Sequence, residues 1–404
     1  MKIFNPTARL PFVEFIALMA LITSLIALAI DMMLPALPMI GEYLSVQDPN
    51  DTQLIISSVF LGMGVGQLIF GPICDSFGRK NSLYIGMATF IVGTLICLVT
   101  TDFNTMLLGR FLQGVGASGP RISTMALIRD EYEGRGMARV MSLTMMVFLA
   151  VPMIAPLLGE LVIYISDWHG IFVALLVVAV ILSVWFATRQ PETLSVEDRQ
   201  KFSYDSIKNG FITVCSNRVT LGYTIAIGVV SGPLLAYLST AQAILQDQYQ
   251  LGIKFALCFA ALAFFMGVAS FVNSRLVGKH GMRLLSQYAL IIMAVSSVLY
   301  TIPVLLSNGQ PPLWTYLLYL ACALCCLSIL FSNMNAIAME PLGKNAGTGA
   351  AVIGSLSTII SVPVGVFIGG FYEQSVLPLV LGFAICAVIA LSLKFWANQK
   401  SVVS

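Results

Sequence analysis

The chain has 404 residues, of which 58% are hydrophobic and 10% are charged, and its formal net charge is +2 at pH 7. A water-soluble protein carries about 25% charged residues, so this composition excludes a soluble domain. A net charge near zero also excludes the strongly basic surface that binds nucleic acid. We therefore predict an integral membrane protein that is surrounded by the lipid bilayer.

Apolar runs long enough to span a bilayer recur along the whole sequence. Twelve of them are predicted to be transmembrane helices, near residues 13–40, 52–74, 83–100, 104–128, 138–164, 170–187, 219–244, 255–275, 284–306, 313–336, 347–371 and 376–397. The runs are continuous and do not alternate, which excludes a β-barrel. The first run is too long for a signal-peptide core and lacks a small-residue cleavage site, so we expect it to remain as a helix. The predicted fold class is an all-α membrane protein.

Lysine and arginine residues set the predicted orientation of these helices. With the N-terminus inside, all 21 of them except Lys254, Arg110 and Arg121 fall at cytoplasmic positions. Cytoplasmic loops of membrane proteins carry an excess of positive charge. We therefore predict twelve spans with both termini in the cytoplasm.

Helix one contains Asp31, the only acidic residue that lies deep within any predicted span. Ionisable residues inside a membrane are costly, so Asp31 is a candidate functional residue. A carboxyl group can be held ionised by a nearby arginine or protonated when it loses water, so a conformational change can move its proton. The alternative interpretation is a structural ion pair that has no part in coupling.

The loop between helices two and three reads GPICDSFGRK at residues 71–80. Gly71 favours a close approach of helices, and Gly78 allows a sharp turn at the membrane surface. Asp75 and Arg79 are four residues apart and can meet on one helix face. This spacing predicts an ion pair between Asp75 and Arg79 at the cytoplasmic side. The alternative is that the basic residues of the loop serve only to orient the chain.

Helix four carries two arginines in an otherwise apolar span. Arg110 lies about 9 Å inside the outer end of the helix, at a depth compatible with an ion pair to Asp31. Arg121 lies three turns further along, roughly 16 Å away and within about 20° on the same face. No acidic residue in the spans is left to pair with Arg121, so it is a candidate anchor for an anionic substrate. The alternative is that it reaches backbone carbonyls or extends toward the cytoplasm. Gln113 joins Asp31 and Arg121 as a candidate substrate contact.

Helix five contains APLLGE at residues 155–160. Pro156 bends the helix, and we expect Pro156 and Gly159 to take part in gating. Glu160 stands near the outer end of the apolar run. We interpret it as a rim residue, and the alternative is that it alters occlusion of the outer side.

A charged cytoplasmic connector, residues 188–212, divides the chain into bundles of six helices at 1–187 and 213–404. Its second part places four apolar residues on one helical face: Tyr204, Ile207, Phe211 and Val214. This pattern predicts a short helix that lies in the membrane surface. No chemistry is assigned to the connector, which we expect to be a solvated linker.

The two halves of the chain also resemble one another. GPICDSFGRKNSL follows span two and NSRLVGKHGMRLL follows span eight, and aligning Gly78 with Gly281 gives an offset of 203 residues. Internal duplication, with one half rocking against the other, is typical of secondary transporters. The sequence therefore predicts a transporter.

Five stretches resemble a known family. GPICDSFGRK resembles, at every fixed position, the loop 2–3 signature of the major facilitator superfamily. IDMMLPALP (30–38) and GRFLQGVGAS (109–118) look like the first and fourth helices of its proton-coupled drug-efflux branch, and APLLGE resembles the helix-five antiporter motif of that branch. FSNMNAIAMEPLGKNAGTGAA (331–351) resembles helices ten and eleven of the bicyclomycin-resistance (Bcr/CflA) subfamily. One departure is Glu160, which stands where the antiporter motif usually has a second glycine.

The resemblance implies a monomeric proton-coupled antiporter of the bacterial inner membrane, which exports small organic compounds by alternating access. It implies that Asp31 and Arg110 couple protons. It also implies that Asp75 sits against the N-terminal end of helix eleven, and that Arg79 reaches Asp130 at the end of helix four. Such a cluster would be a conformational latch that holds the cytoplasmic ends of the two halves together in the outward-facing state.

The cargo remains open between three interpretations. Arg121 is not called for by the subfamily pattern, and it favours an anionic metabolite such as a polycarboxylate siderophore. The first alternative is a general multidrug antiporter for lipophilic drugs. The second is a proton symporter that imports a small metabolite.

No enzyme, cofactor or metal site is predicted. The sequence has no nucleophile–base constellation and no phosphate-binding loop for ATP. The CALCC stretch at residues 322–326 suggests a metal site, yet no histidine or carboxylate is near in sequence, so we expect its cysteines to pack at a helix interface. The predicted partners are a small-molecule substrate, protons and the bilayer.

Overall fold

A computed structural model describes residues 10–197, 199, 204–252 and 254–399. Within these residues every regular element is a helix, and the chain forms two compact units, Met1–Ile207 and Lys208–Ser404. The helices of the first unit are α1 (Phe12–Asp31), α2 (Leu37–Tyr43), α3 (Leu54–Phe77), α4 (Arg79–Val99), α5 (Phe103–Glu131), α6 (Gly134–Ile165) and α7 (Trp168–Arg189). Helix α8 (Tyr204–Ser216) crosses the boundary, and the second unit continues with α9 (Arg218–Gln242), α10 (Lys254–His280), α11 (Met282–Leu306), α12 (Leu313–Met339), α13 (Ala346–Gly370) and α14 (Leu377–Asn398).

Each predicted span coincides with helical structure, and eleven of these stretches are long and apolar enough to cross a membrane. Helix α5 does not meet that criterion, because Arg110, Arg121 and many small or polar residues lower its hydropathy. It is nevertheless buried along its middle, where it packs against α3 and α4. The polar character of α5 is therefore shielded from lipid by its neighbours in the first unit.

Helices α3 and α5 cross in backbone contact. A Cβ added to Gly62 would overlap the backbone of Phe111, and one added to Gly114 would overlap the backbone of Val59. The Ser118 hydroxyl donates across the same crossing to the carbonyl of Met63, at 3.1 Å. Small residues let membrane helices approach this closely, so any larger residue at these two glycines would force the helices apart.

Helix one is interrupted, although the sequence predicts one helix over 13–40. Helix α1 ends at Asp31, a 3₁₀ turn covers Leu34–Ala36, and α2 then begins at Leu37. The cause is Pro35, because proline has no N–H to donate to the carbonyl four residues earlier and its ring clashes there. The break places Asp31 at the C-terminal end of α1.

The structure supports the internal duplication. Gly78 precedes α4 with φ 98° and ψ 161°, and Gly281 precedes α11 with φ 77° and ψ 153°. Positive φ angles of this size favour glycine. The offset of 203 residues therefore aligns two turns of the same backbone conformation.

The predicted connector helix is α8. Phe211 and Ile212 are exposed, whereas Val214 is buried within the second unit. The side chains of Tyr204 and Ile207, predicted for the same face, lie outside the described residues. An exposed apolar pair on a short helix is compatible with a position in the membrane surface.

Candidate functional site

The first cluster of candidate residues lies where α3, α4 and α5 meet at the predicted cytoplasmic side. The Arg79 guanidinium binds the Asp75 carboxylate at 2.7 Å and the Asp130 carboxylate at 3.0 Å, and it also donates to the carbonyl of Cys74 at 3.0 Å. The Arg79 side chain is 11% exposed, whereas the Asp130 and Asp75 side chains are 24% and 45% exposed, so these charge-assisted bonds lie at the edge of the packed region. The Asp130 contact is the one that the family resemblance implied. The Asp75 contact was also expected, but it joins α3 to α4 and does not lie on one helix face as predicted. We call Asp75, Arg79 and Asp130 the latch.

The two signature glycines lie on either side of Asp75. Gly78 forms the positive-φ turn between α3 and α4, which is the role predicted for it. Gly71 lies in the C-terminal third of α3 and is partly buried. The contact predicted between Asp75 and helix eleven stays a prediction.

Glu192, which was given no role from the sequence, also binds at the latch. One oxygen of its carboxylate accepts from the backbone N–H of Arg79 and the other from that of Lys80, each at 3.0 Å. Thr193 then donates its hydroxyl to Asp130 at 2.6 Å. More than a hundred positions separate Arg79 from Glu192, and no periodicity in the sequence links them. The only sequence signal is an acidic residue directly after span six.

The second cluster surrounds the break in helix one. Asp31 is 4% exposed, and among the described residues no hydrogen bond or ion pair engages its carboxyl group. The ion pair predicted between Asp31 and Arg110 is therefore absent, and that prediction was wrong for this structure. Arg110 lies close by, because it binds the carbonyl of Ala29 in the last turn of α1, at 3.0 Å.

Arg110 satisfies its guanidinium without a counter-ion. Besides the carbonyl of Ala29 it binds that of Ile55 at 3.2 Å and the amide oxygen of Gln113 at 2.8 Å. At the helix break the N–H of Met33 donates to the carbonyl of Ile30. It does not donate to the carbonyl of Ala29, four residues earlier, which is therefore available to Arg110. The negative end of the α1 dipole adds to the stabilisation of this cation. Main-chain acceptors thus replace the carboxylate that the sequence suggested.

Gln113 completes a buried network and is not open to a ligand in this structure. Its amide oxygen accepts from Arg110, and its amide nitrogen donates to the Thr94 hydroxyl at 2.8 Å. Thr94 in turn donates to the carbonyl of Phe90 at 2.8 Å. Arg110, Gln113 and Thr94 are each fully buried. Gln113 therefore holds Arg110 in place, which differs from the substrate contact predicted for it.

Helix α6 packs on the same break. A Cβ added to Gly159 would overlap the carbonyl of Met32, the residue after Asp31, and would lie 3.1 Å from the Pro35 ring. Pro156 is buried one turn earlier, and Glu160 is partly exposed. Of the predicted gating residues of helix five, Gly159 thus contacts the backbone that follows Asp31.

Arg121 lies on α5 in a different setting. Its side chain is partly exposed, and among the described residues no hydrogen bond or ion pair engages its guanidinium. Within these residues Arg121 therefore does not bind backbone carbonyls, which was one alternative considered for it. Arg110 is the arginine that does. An unpaired guanidinium within a membrane-spanning helix can bind an anion.

Comparison with known proteins assigns this arrangement to a family. The family model described as Major Facilitator Superfamily matches residues 19–366. An uncharacterised transporter of that type from Bacillus subtilis, YdgK, is 29% identical over 98% of both chains. A bicyclomycin resistance protein homolog from Haemophilus influenzae is 28% identical, covering 96% of this chain and 97% of the relative.

Two further matches extend the comparison. Multidrug resistance protein D of Escherichia coli is 26% identical over 86% of both chains. The crystal structure of the human organic anion transporter MFSD10 (TETRAN) matches with a TM-score of 0.68 over 96% of this chain and 100% of that chain. At 15% identity, this structural match establishes the fold and leaves the cargo open.

Proposed function

The chain belongs to the major facilitator superfamily of membrane transporters, and we propose that it is a proton-coupled exporter of small organic compounds that works by alternating access. It is a transporter and not an enzyme. We place it as a monomer in the bacterial inner membrane with both termini in the cytoplasm, since nearly all of its basic residues then lie inside. Resistance proteins among its relatives support export as the direction.

The observation that carries proton coupling is the Asp31 carboxyl group at the helix break. It is buried, and the neighbouring Arg110 is occupied by two carbonyls and an amide. A proton is then the cation available to Asp31, taken up or released as the break loses or gains access to water. Gly159 of α6 touches the residue after Asp31, so a movement of α6 would change that access.

Coupling is tested in everted membrane vesicles that hold a preformed acidic interior. Candidate cargo is added outside, and a dye that reports the pH gradient is followed. Antiport releases protons from the vesicle interior, so the gradient should collapse faster with cargo than without it. Cargo that is accumulated with no change in the gradient would contradict proton coupling.

We propose further that the cargo is anionic and that Arg121 is its anchor. The partial exposure of Arg121 and its lack of a bonded partner among the described residues support this assignment. A cation inside a membrane-spanning helix stabilises a bound carboxylate by charge and by hydrogen bonds. A polycarboxylate metabolite such as a siderophore would fit this chemistry.

The names of the relatives favour a second candidate, a general multidrug antiporter. Binding to purified protein in detergent separates the two, with citrate as the polycarboxylate probe and tetraphenylphosphonium as the lipophilic cation. If Arg121 is the anchor, citrate should raise the Tm of wild type, and Arg121→Ala should weaken citrate binding about tenfold or more, as for the loss of a charge-assisted pair. Arg129→Ala is the matched control, because Arg129 is exposed at the end of the same helix.

Equal binding of tetraphenylphosphonium to wild type and Arg121→Ala, with no citrate binding to either, would establish the multidrug alternative. Arg121 would then be structural. Loss of all binding in Arg129→Ala as well would show that the effect belongs to net charge and not to the anchor.

A further inference from the structure

The first residues of the connector run across the end of the first unit as a bonded strap. We define the strap as residues 190–194. It follows α7 directly and contacts the latch through Glu192 and Thr193. The sequence indicated a solvated linker here, whereas Gln190 is fully buried and Glu192 is partly buried.

Glu192 closes the N-terminus of α4. Its two carboxylate oxygens accept from the first two backbone N–H groups of the helix, those of Arg79 and Lys80. These groups have no partner within the helix, and a carboxylate at this end also interacts favourably with the helix dipole. A Cβ on Gly78 would lie 2.5 Å from a Glu192 oxygen. The signature glycine therefore also makes room for the strap.

The strap is attached at three further points. Thr193 donates to the same Asp130 oxygen that receives the Arg79 Nε. The amide of Gln190 donates to Glu131 at 2.6 Å. In the opposite direction the Lys80 ammonium donates to the carbonyl of Gln190 at 2.7 Å. The strap thus binds the first turn of α4 and the last turn of α5, which carry Arg79 and Asp130.

We propose that Glu192 is a positioning residue of the transport cycle, which holds the backbone of Arg79 so that its guanidinium can join Asp75 to Asp130. Glu192 binds the main-chain N–H of Arg79, and the carboxylates of Asp75 and Asp130 bind its side chain. The strap is also the first part of the connector that follows α7. This inference rests on the proposed transport function, because it assigns Glu192 a part in that cycle.

The test pairs Glu192→Gln with Glu197→Gln. Gln keeps the size of the side chain but replaces one acceptor oxygen with a donor, so one of the two helix-end bonds is lost together with the charge. Glu197 is an exposed carboxylate five residues later in the same connector and serves as the matched control. Thr193→Val is the second variant, because it removes the bond to Asp130 and leaves the carboxylate of Glu192 unchanged.

The first readout is hydrogen exchange of the amides of Arg79 and Lys80, which requires no transport. Glu192→Gln should speed their exchange by roughly tenfold, the effect of losing a hydrogen bond to a charged group, whereas Glu197→Gln should leave it unchanged. Equal exchange rates in wild type and Glu192→Gln would contradict the proposal that Glu192 holds the backbone of Arg79 and Lys80. Because Thr193→Val keeps both helix-end bonds, it should not change this exchange.

The second readout is transport kinetics with whichever cargo the wild type moves. A positioning role changes the rate of the conformational cycle, so kcat should fall several-fold in both Glu192→Gln and Thr193→Val while KM stays constant. Faster exchange with an unchanged kcat would overturn the positioning role and leave only a helix cap. A wild type that transports no cargo would refute the proposed function. The hydrogen-exchange measurement would still show whether Glu192 holds the N-terminus of α4.

Discussion

Two arginines on one helix have opposite surroundings. Arg110 is fully buried and donates to two main-chain carbonyls and one side-chain amide. Arg121 is partly exposed, and within the described part of the chain nothing binds its guanidinium. A buried cation that has acceptors belongs to the structure, whereas one that has none is available to a ligand. The acceptors around each arginine, and not the residue type, separate the two roles.

At this same scale, Asp31→Asn should abolish proton coupling while the protein still folds. Asn has nearly the same shape and cannot exchange a proton, and no bonded partner of Asp31 within the described residues would be lost. In everted vesicles the mutant should dissipate no more of the proton gradient with cargo than without it. The Tm in detergent should stay within about 3 °C of wild type, as for a change of less than about 1 kcal/mol in a domain of this size.

The control for this experiment is binding of cargo to the purified mutant at a fixed pH. Retained binding with lost coupling assigns Asp31 to the proton. Full gradient-driven transport by Asp31→Asn would refute that assignment.

Sequence reasoning reached some of these residues and missed the partners of others. The contact between Asp75 and Arg79 was predicted from helical spacing, yet the two residues lie on different helices, α3 and α4, and meet across the turn at Gly78. The contact with Asp130 was predicted from a family resemblance. The partner of Arg110 could not be predicted by matching charges, because its acceptors are main-chain carbonyls on two other helices. One of those carbonyls, that of Ala29, becomes available only because the helix ends early.

At the scale of the helix, the break in helix one organises the candidate site. Pro35 ends α1, the Ala29 carbonyl in the last turn receives Arg110, and α6 packs on the turn that follows. The proline was visible in the sequence, yet a continuous apolar run of sufficient length favoured one helix. Hydropathy indicates which residues can lie in lipid, but it does not indicate where the hydrogen bonds of a helix end.

Gly159→Ala tests whether the packing of α6 on that break matters. The added methyl would overlap the Met32 carbonyl, so α6 must shift or the turn must distort, and we expect a loss of about 1–3 kcal/mol. Thermal unfolding in detergent measures the stability, and the vesicle assay measures coupling. Coupling should fall more than stability alone explains, because Asp31 lies next to the distorted turn.

Gly267→Ala is the matched control for this substitution. Gly267 lies in α10, and a Cβ added there would meet nothing within 4 Å. Alanine is the better helix former, so this variant should be neutral or slightly stabilised. Equal behaviour of the two variants would show that the contact between α6 and Met32 carries no constraint.

At the scale of the whole molecule, each unit has an ion pair near the N-terminal end of a helix, and the two pairs differ in their exposure to water. In the second unit Arg283 of α11 binds Glu340 at 3.1 Å, as Arg79 of α4 binds Asp130 in the first. Lys80 of α4 donates to the carbonyl of Ala187 in α7, whereas in the second unit Lys394 of α14 donates back to the carbonyl of Arg283. The sequence indicated the duplication through Gly78 and Gly281. It did not indicate that the lysine donor lies on α4 in the first unit but on α14 in the second.

This inequality predicts unequal effects of removing the two acids. Both members of the Arg283–Glu340 pair are 56% exposed, so Glu340→Gln should change stability by no more than about 0.5 kcal/mol. Asp130→Asn should cost about 1–2 kcal/mol, since Asp130 serves both the shielded Arg79 and Thr193. Thermal unfolding of the two variants measures the difference, and equal losses would contradict it.

The polarity of α5 has a consequence for how the protein is made. On insertion scales each arginine costs about 3 kcal/mol at the centre of a bilayer, so α5 is a poor candidate to leave the translocon alone. The carbonyls that receive Arg110 belong to α1 and α3, and both are synthesised before α5. The acceptors are thus synthesised before Arg110, and we expect insertion of α5 to require that α1 and α3 remain near the translocon until α5 arrives.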